Sequence, residues 1–248
     1  MNGANVPAAS PAWALFLDVD GTLIEFSDSP SGTRASLELQ RLLGALDRRL
    51  GGSLALVSGR SIENLDALFA PARFAAAGLH GLERRGAFGN SRVERVPDTM
   101  LDRARSAIRA FVDVNPGALL EDKGSALALH FRTAPHLEQP ARRLLSGIAA
   151  ELAPQFHTQE GDNVVEIKSS SATKATAVEA FMSEAPFAGR TPVFVGDDLT
   201  DRDGFRAVEA RGGISVAVGD RVGAQYRLEN PAAVRAWLAP LAAARLPS

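Results

Sequence analysis

The 248-residue sequence contains no cysteine. Disulfides, thiolate zinc sites and cysteine nucleophiles are therefore excluded. Histidine is scarce: His80, His130, His136 and His157 are the full set, and no two stand at zinc-protease spacing. The formal net charge of −2 offers no broad positive field for nucleic acid or an anionic membrane. No apolar run approaches the roughly 20 residues of a membrane-crossing helix. The glycine-rich loops of P-loop and dinucleotide-binding proteins are missing too. Residues 1–12, MNGANVPAASPA, lack the basic start and apolar centre of a signal peptide. They read as a flexible tail, and the expected location is cytoplasmic.

What is present is ordinary for a globular protein, with 46% hydrophobic and 23% charged residues. The length suits one large domain or two modest ones. Short apolar segments at 14–18, 53–57, 74–78, 193–195 and 214–218 read as buried strands. Helical patterns separate them. One covers 33–52, where Leu39, Leu42, Leu43, Leu46 and Leu50 share a face and Gly51-Gly52 stops the run. Others run to about Phe69, follow Lys174, follow Asp201 and cover 232–239. Alternation of this kind predicts a Rossmann-like α/β core whose parallel sheet is covered on both faces.

Residues 82–166 break the rhythm. Strand-like pairs flank Gly89-Asn90 and Gly124-Ser125, with helices near 98–113 and 137–152. Such repeats predict an antiparallel sheet with helices on one side. The simplest organisation is a catalytic core of residues 1–81 and 167–248, with an inserted α+β cap domain at 82–166.

Four segments fall at expected carboxyl ends of core strands, where open α/β sheets bind ligands. The first is FLDVDGTLIEF, 16–26. Asp18 and Asp20 project the same way if the strand continues, and carboxylates that close need a cation or raise each other's pKa. Gly21 and Thr22 open a tight loop whose N–H groups could receive an anion. The second is Ser58, after SLALV; the third is Lys174, opening a helix; the fourth is VFVGDDLTD, with Asp197, Asp198 and Asp201. Each alone could be a solvated turn or a helix cap. Together they point to a metal and a phosphate.

Two further signals concern recognition. Only three of 27 basic residues are lysines: Lys123, Lys168 and Lys174. Lysine is distinct from arginine at a compact phosphate or sugar contact, although chance accounts for Lys168 equally well. If Gly124-Ser125 is a two-residue hairpin loop, Glu121 opposes Ala128. Glu121, Lys123, His130 and Arg132 then share one face, with Leu120, Leu127, Leu129 and Phe131 on the other. Glu166 in VVEIK is likewise flanked by apolar neighbours. Such a charged face suits a hydroxyl-rich sugar, or simply solvent.

DxDGT, a Ser after the second strand, a lone Lys and GDDxTD are the four motifs of haloacid-dehalogenase-like phosphotransferases. LVSGRS, AAGLHGLERR, LEDKGSALALHFR and VVEIK narrow the likeness, which covers nearly all of residues 13–240. The chain resembles the trehalose-6-phosphate phosphatases. It departs from the usual pattern at Ala175, where relatives carry Gly, and at Arg202, where an acidic residue commonly follows Asp201.

The resemblance implies Asp18 as nucleophile and Asp20 as acid–base group. Mg²⁺ would sit on Asp18, Asp197 and the carbonyl of Asp20. Ser58 and Lys174 would bind the phosphoryl group, with Gly21, Thr22, Gly59 and Arg60 lining it. Asp198 and Asp201 either hold metal-bound waters, orient Lys174 or cap a helix. Glu121, Lys123, Arg132 and Glu166 would contact the sugar. His80 and Glu83 would line the mouth of the site or fix the turn into the cap. A trehalose-6-phosphate synthase is an expected functional partner. The rival readings are a phosphatase of another sugar phosphate, a phosphomutase and a non-enzymatic sugar-phosphate-binding regulator.

Overall fold

The computed structural model describes residues 6–25, 35–93, 98–124, 126–161 and 163–244. Chain contacts divide it into two compact units, Met1–Val93 with Thr173–Ser248, and Glu94–Ala172.

Trp13–Leu17 (β1) is buried at every residue, as a strand covered on both faces must be. It lies between β2 (Leu54–Val57) and β10 (Thr191–Gly196), parallel to both. Outward on one side come β11 (Ile214–Val218) and β12 (Tyr226–Leu228). On the other come β3 (Ala75–Gly78), β4 (Glu83–Arg85) and β5 (Ser91–Val93). The sheet is parallel from β12 to β3, and β4 and β5 add antiparallel. Alternate side chains feed two cores. Leu15, Leu17, Leu54, Leu56, Val193 and Val195 pack with α1 (Leu37–Arg49), α2 (Ile62–Phe69) and α7 (Pro231–Ala243). Phe16, Ala55, Val57 and Phe194 pack with α5 (Lys174–Met182) and α6 (Asp201–Glu209). The chain leaves β1 towards β2 on one side and reaches β10 on the other, so the strand order reverses at β1. That is where such sheets open a crevice at their carboxyl ends.

In the second unit β6 (Leu119–Asp122), β7 (Leu127–His130), β9 (Val164–Ser169) and β8 (Phe156–Gly161) form an antiparallel sheet in that order. Leu127, Leu129, Phe131, Val165 and Ile167 bury one face against α3 (Asp98–Val114) and α4 (Glu138–Glu151). The register pairs Glu121 with Ala128, as the hairpin reading requires. Ser125 itself lies outside the described residues.

Three expectations are corrected. The boundaries expected at 82 and 166 fall instead at Val93/Glu94 and Ala172/Thr173. The physical reason for the first is that the Gly89-Asn90 hairpin pairs with β3, which extends the core sheet before the chain departs. The reason for the second is that β9 continues to Ser169 as a partner of β8. The expected tail at 1–12 is fixed in its described part: Val6 and Ala9 pack on the core, and Trp237 Nε1 donates to the Pro7 carbonyl at 2.8 Å. The strands β8 and β12 went unrecognised, because neither carries an apolar run.

Candidate active site

β1, β2 and β10 end side by side, and each delivers a polar residue into the crevice. Asp18 follows β1, Ser58 follows β2 and Asp197 follows β10; all three are buried. The Asp18 N–H donates to the Val195 carbonyl at 2.9 Å, so the β1–β10 ladder runs up to the aspartate. Lys174 is the first residue of α5, which Thr173 opens with a capping box closed by Thr176. The helix start aims the ammonium at the strand ends. Lys174 Nζ donates to Asp18 Oδ1 at 2.8 Å and to Asp201 Oδ1 at 2.5 Å.

Asp201 is completely buried and takes three donors. Its second oxygen accepts from the N–H groups of Asp197 at 3.0 Å and Asp198 at 2.9 Å. It therefore positions Lys174 and closes the turn that presents Asp197. A Cβ at Gly196 would collide with this carboxylate, which explains the glycine of GDD. Asp198 is turned to its own loop, accepting from the Leu199 N–H at 2.6 Å.

The electrostatics are those of a charged site in a dry place. Burial pushes Asp18 well above the ordinary carboxylate range, Lys174 pulls it back, and Asp201 and Asp197 push it up again. Burial, with help from Asp201, raises Asp197 to about 6 against the pull of the Thr22 hydrogen bond. Burial draws Lys174 down, but Asp18 and Asp201 outweigh it, so the ammonium is held charged. Asp18, Asp197 and Asp201 offer oxygens within 4.8 Å of one another. Three carboxylates facing one ammonium leave an excess of negative charge in a low-dielectric setting. An all-oxygen donor set of this kind fits a hard divalent cation. Asp201 is the most heavily hydrogen-bonded of the three, with three donors.

The other expected site residues of this unit find varied places. Gly21 adopts φ 77°, the left-handed turn that glycine favours. Its N–H, however, donates to the Ile24 carbonyl at 2.8 Å, and the Thr22 N–H reaches the Val19 carbonyl at 3.3 Å. The expectation that these groups receive an anion is therefore corrected: they close their own turn. Thr22 instead contributes its hydroxyl, donating to Asp197 Oδ1 at 3.1 Å. Arg60, expected with the phosphate loop, forks both oxygens of Asp20, Nε to Oδ2 at 2.7 Å and NH2 to Oδ1 at 2.6 Å. Glu83 accepts from the Ile62 N–H at 2.7 Å, at the start of α2. His80 is buried against Gly59, so of its two expected roles, and those of Glu83, fixing the turn is the one the geometry supports.

The second unit gathers its own cluster. Lys123 Nζ donates to Glu166 Oε1 at 3.1 Å and lies 3.8 Å from Glu121 Oε2, which is 2.9 Å from His130 Nε2. The His130 hydrogen bond does most to hold Glu121 below the usual carboxylate range, overcoming its burial. Ladder pairing sets Glu121, Ala128, Glu166 and Gln159 in one row across the sheet. The small buried Ala128 leaves a shallow floor between the two glutamates. Arg132 is exposed beyond the end of β7. Gln159's place in that row is not visible in the sequence, because β8 gives no apolar signal.

Known proteins resemble this chain over most of its length. Residues 16–231 match the family described as trehalose-phosphatase. A trehalose-6-phosphate phosphatase of Escherichia coli (strain K12) is 42% identical over 233 residues, 94% of this chain and 87% of that protein. The C-terminal domain of Candida albicans trehalose-6-phosphate phosphatase superposes with a TM-score of 0.81 at 20% identity, covering 98% of this chain and 99% of that one. A haloacid dehalogenase-like hydrolase from Bacteroides thetaiotaomicron gives a TM-score of 0.67 at 14% identity, over 92% and 98% of the two chains. The fold is that of the haloacid-dehalogenase-like hydrolases, and the chain belongs to the trehalose-phosphatase family of phosphoric monoester hydrolases.

Proposed function

We propose that this chain hydrolyses trehalose 6-phosphate to trehalose and phosphate through a phosphorylated Asp18. The observation that carries the reading is the buried junction of Asp18, Lys174 and Asp201 beside Asp197, at the ends of adjacent parallel strands. In the first step an Asp18 oxygen attacks phosphorus and the bond to the sugar oxygen breaks. Asp20 gives that oxygen its proton. In the second step Asp20 takes a proton from water, whose oxygen attacks phosphorus and frees Asp18 and phosphate. Lys174 and Ser58 stabilise the phosphoryl oxygens as charge redistributes.

Asp18, Asp197 and the carbonyl of Asp20 would hold Mg²⁺, which supplies screening between the nucleophile and the phosphate. Glu121, Lys123, Glu166 and Arg132 would bind the disaccharide, the first three exchanging their mutual contacts for hydroxyls. A cytoplasmic location and a synthase that supplies the phosphorylated disaccharide belong to this reading.

The test is phosphate release from trehalose 6-phosphate with Mg²⁺, after chelation and after Mg²⁺ is restored, beside a panel of sucrose, glucose and glycerate phosphates. Turnover lost on chelation and recovered with the metal is expected, with trehalose 6-phosphate the best substrate. A different best substrate would overturn the assignment of the sugar.

A further inference from the structure

The geometry points to Arg60 as the positioning residue of Asp20, with Ser58-Gly59-Arg60 acting as one turn that sets the phosphoryl-binding hydroxyl and the acid–base carboxylate together. The inference rests on the proposed role of Asp20 and deepens it. Two parallel N–H donors, one to each carboxylate oxygen, fix a side chain in rotation as well as in position. A single donor would leave it free to turn. The pair is only partly exposed, at 17% for the Arg60 side chain and 29% for Asp20, so solvent screens it less than a surface ion pair.

The backbone behind Arg60 is held with equal care. Its N–H donates to Ser58 Oγ at 3.1 Å, tying the guanidinium's anchor to the hydroxyl. The Ser58 carbonyl accepts from the His80 N–H at 3.0 Å, and the Arg60 carbonyl from the Leu79 N–H at 2.9 Å. Leu79 and His80 are both left-handed, at φ 49° and 58°, a conformation that costs free energy for residues other than glycine. This strained turn is what aims two consecutive N–H groups at the Ser58–Arg60 carbonyls. Gly59 completes the arrangement, because a Cβ there would come within 2.9 Å of His80 Nε2. Backbone strain, a steric requirement for glycine and a forked ion pair thus converge on the orientation of one carboxylate. A group misplaced by about 1 Å loses on the order of a hundredfold in rate.

The experiment is a double-mutant cycle with Arg60→Ala, Asp20→Asn and the double variant, reading kcat, KM and inhibition by inorganic phosphate. Arg60→Gln, which keeps more of the side chain's bulk, serves if the alanine variant does not fold. A residue acting through Asp20 is expected to lower kcat by about ten- to a hundredfold, leaving KM and phosphate inhibition nearly unchanged. In the Asp20→Asn background it should add less than about threefold, since nothing remains to orient. A full multiplicative loss in that background, or raised KM with weakened phosphate inhibition, would make Arg60 a phosphate ligand and overturn the inference. An Asp20→Asn enzyme running at the wild-type rate would overturn both this inference and the acid–base assignment. Repeating the cycle with glycerol phosphate, whose departing alkoxide still needs a proton, separates the two: failure on trehalose 6-phosphate alone removes the sugar assignment, while the simpler ester still decides Arg60.

Discussion

The ammonium of Lys174 lies 2.8 Å from Asp18 Oδ1 and joins residues 156 positions apart in the chain. The proposed nucleophile therefore rests against a cation fixed by a helix start, and that cation is braced from behind by Asp201.

Lys174→Met should abolish most turnover and also destabilise the fold. Removing one partner of a buried ion pair costs about 3–5 kcal/mol, because the remaining charges stay buried and unpaired. Here those charges are Asp18 and Asp201, exposed by 6% and 0%. Thermal unfolding without metal should show a clear drop in Tm, and phosphate release should fall by about 10²–10³-fold. A variant with unchanged Tm would mean that the junction contributes nothing to stability.

Asp18→Asn should behave in the opposite way on stability. The amide is nearly isosteric but is no nucleophile, so phosphate release should vanish. Because burial and the neighbouring carboxylates raise Asp18, its ionised form opposes folding at neutral pH. Neutralising it while Asp201 still holds Lys174 should leave the metal-free Tm no lower than that of the native protein. A marked drop in Tm would show that the Lys174 contact outweighs the burial of the carboxylate.

Metal binding should depend on pH through Asp197. Its carboxyl is raised from 3.8 to about 6, so the native state binds the proton more tightly than the unfolded chain does. Without a cation, this group's contribution to stability is therefore largest below pH 3.8 and declines as pH rises to about 6. A divalent cation reverses the preference by requiring the ionised form. Mg²⁺ titrations followed by Tm should show apparent affinity falling by up to about tenfold per pH unit below that value. Equal affinity at pH 5 and 7.5 would remove Asp197 from the ligand set.

Recognition should separate from chemistry in the second unit. Glu121→Ala and Lys123→Ala should each lower kcat/KM for trehalose 6-phosphate by about ten- to a hundredfold, the worth of a charged hydrogen bond to a hydroxyl. Hydrolysis of p-nitrophenyl phosphate, which has no sugar, should barely change. Equal losses on both substrates would point to damage to the fold. No loss on either would leave the charged face to solvent.

Much of the core was legible because parallel strands buried on both faces must be continuous apolar runs: ALFLD, SLALV and ISVAV allow few other placements. The hairpin register around Gly124 was legible for a similar reason, since one slip would bury Glu121 and expose Leu129. The core strand β12 was not, and although the hairpin around Gly89-Asn90 could be read, its place on the edge of the core sheet could not. Only pairing with β11 and β3 makes these strands part of the sheet.

Asp18, Ser58, Lys174 and Asp197 could be picked out together because each follows a strand or opens a helix, and topology then brings such ends to one place. Local sequence determined that much, along with the exclusion of thiolate chemistry in a chain without cysteine. Which partner each group takes was decided by tertiary structure alone. Asp201 rather than solvent braces Lys174, the Gly21 N–H closes its own turn instead of awaiting an anion, and Arg60 reaches Asp20 across 40 residues. These choices depend on distances of an ångström between segments remote in sequence, and hydrophobic periodicity and turn chemistry carry no information at that scale.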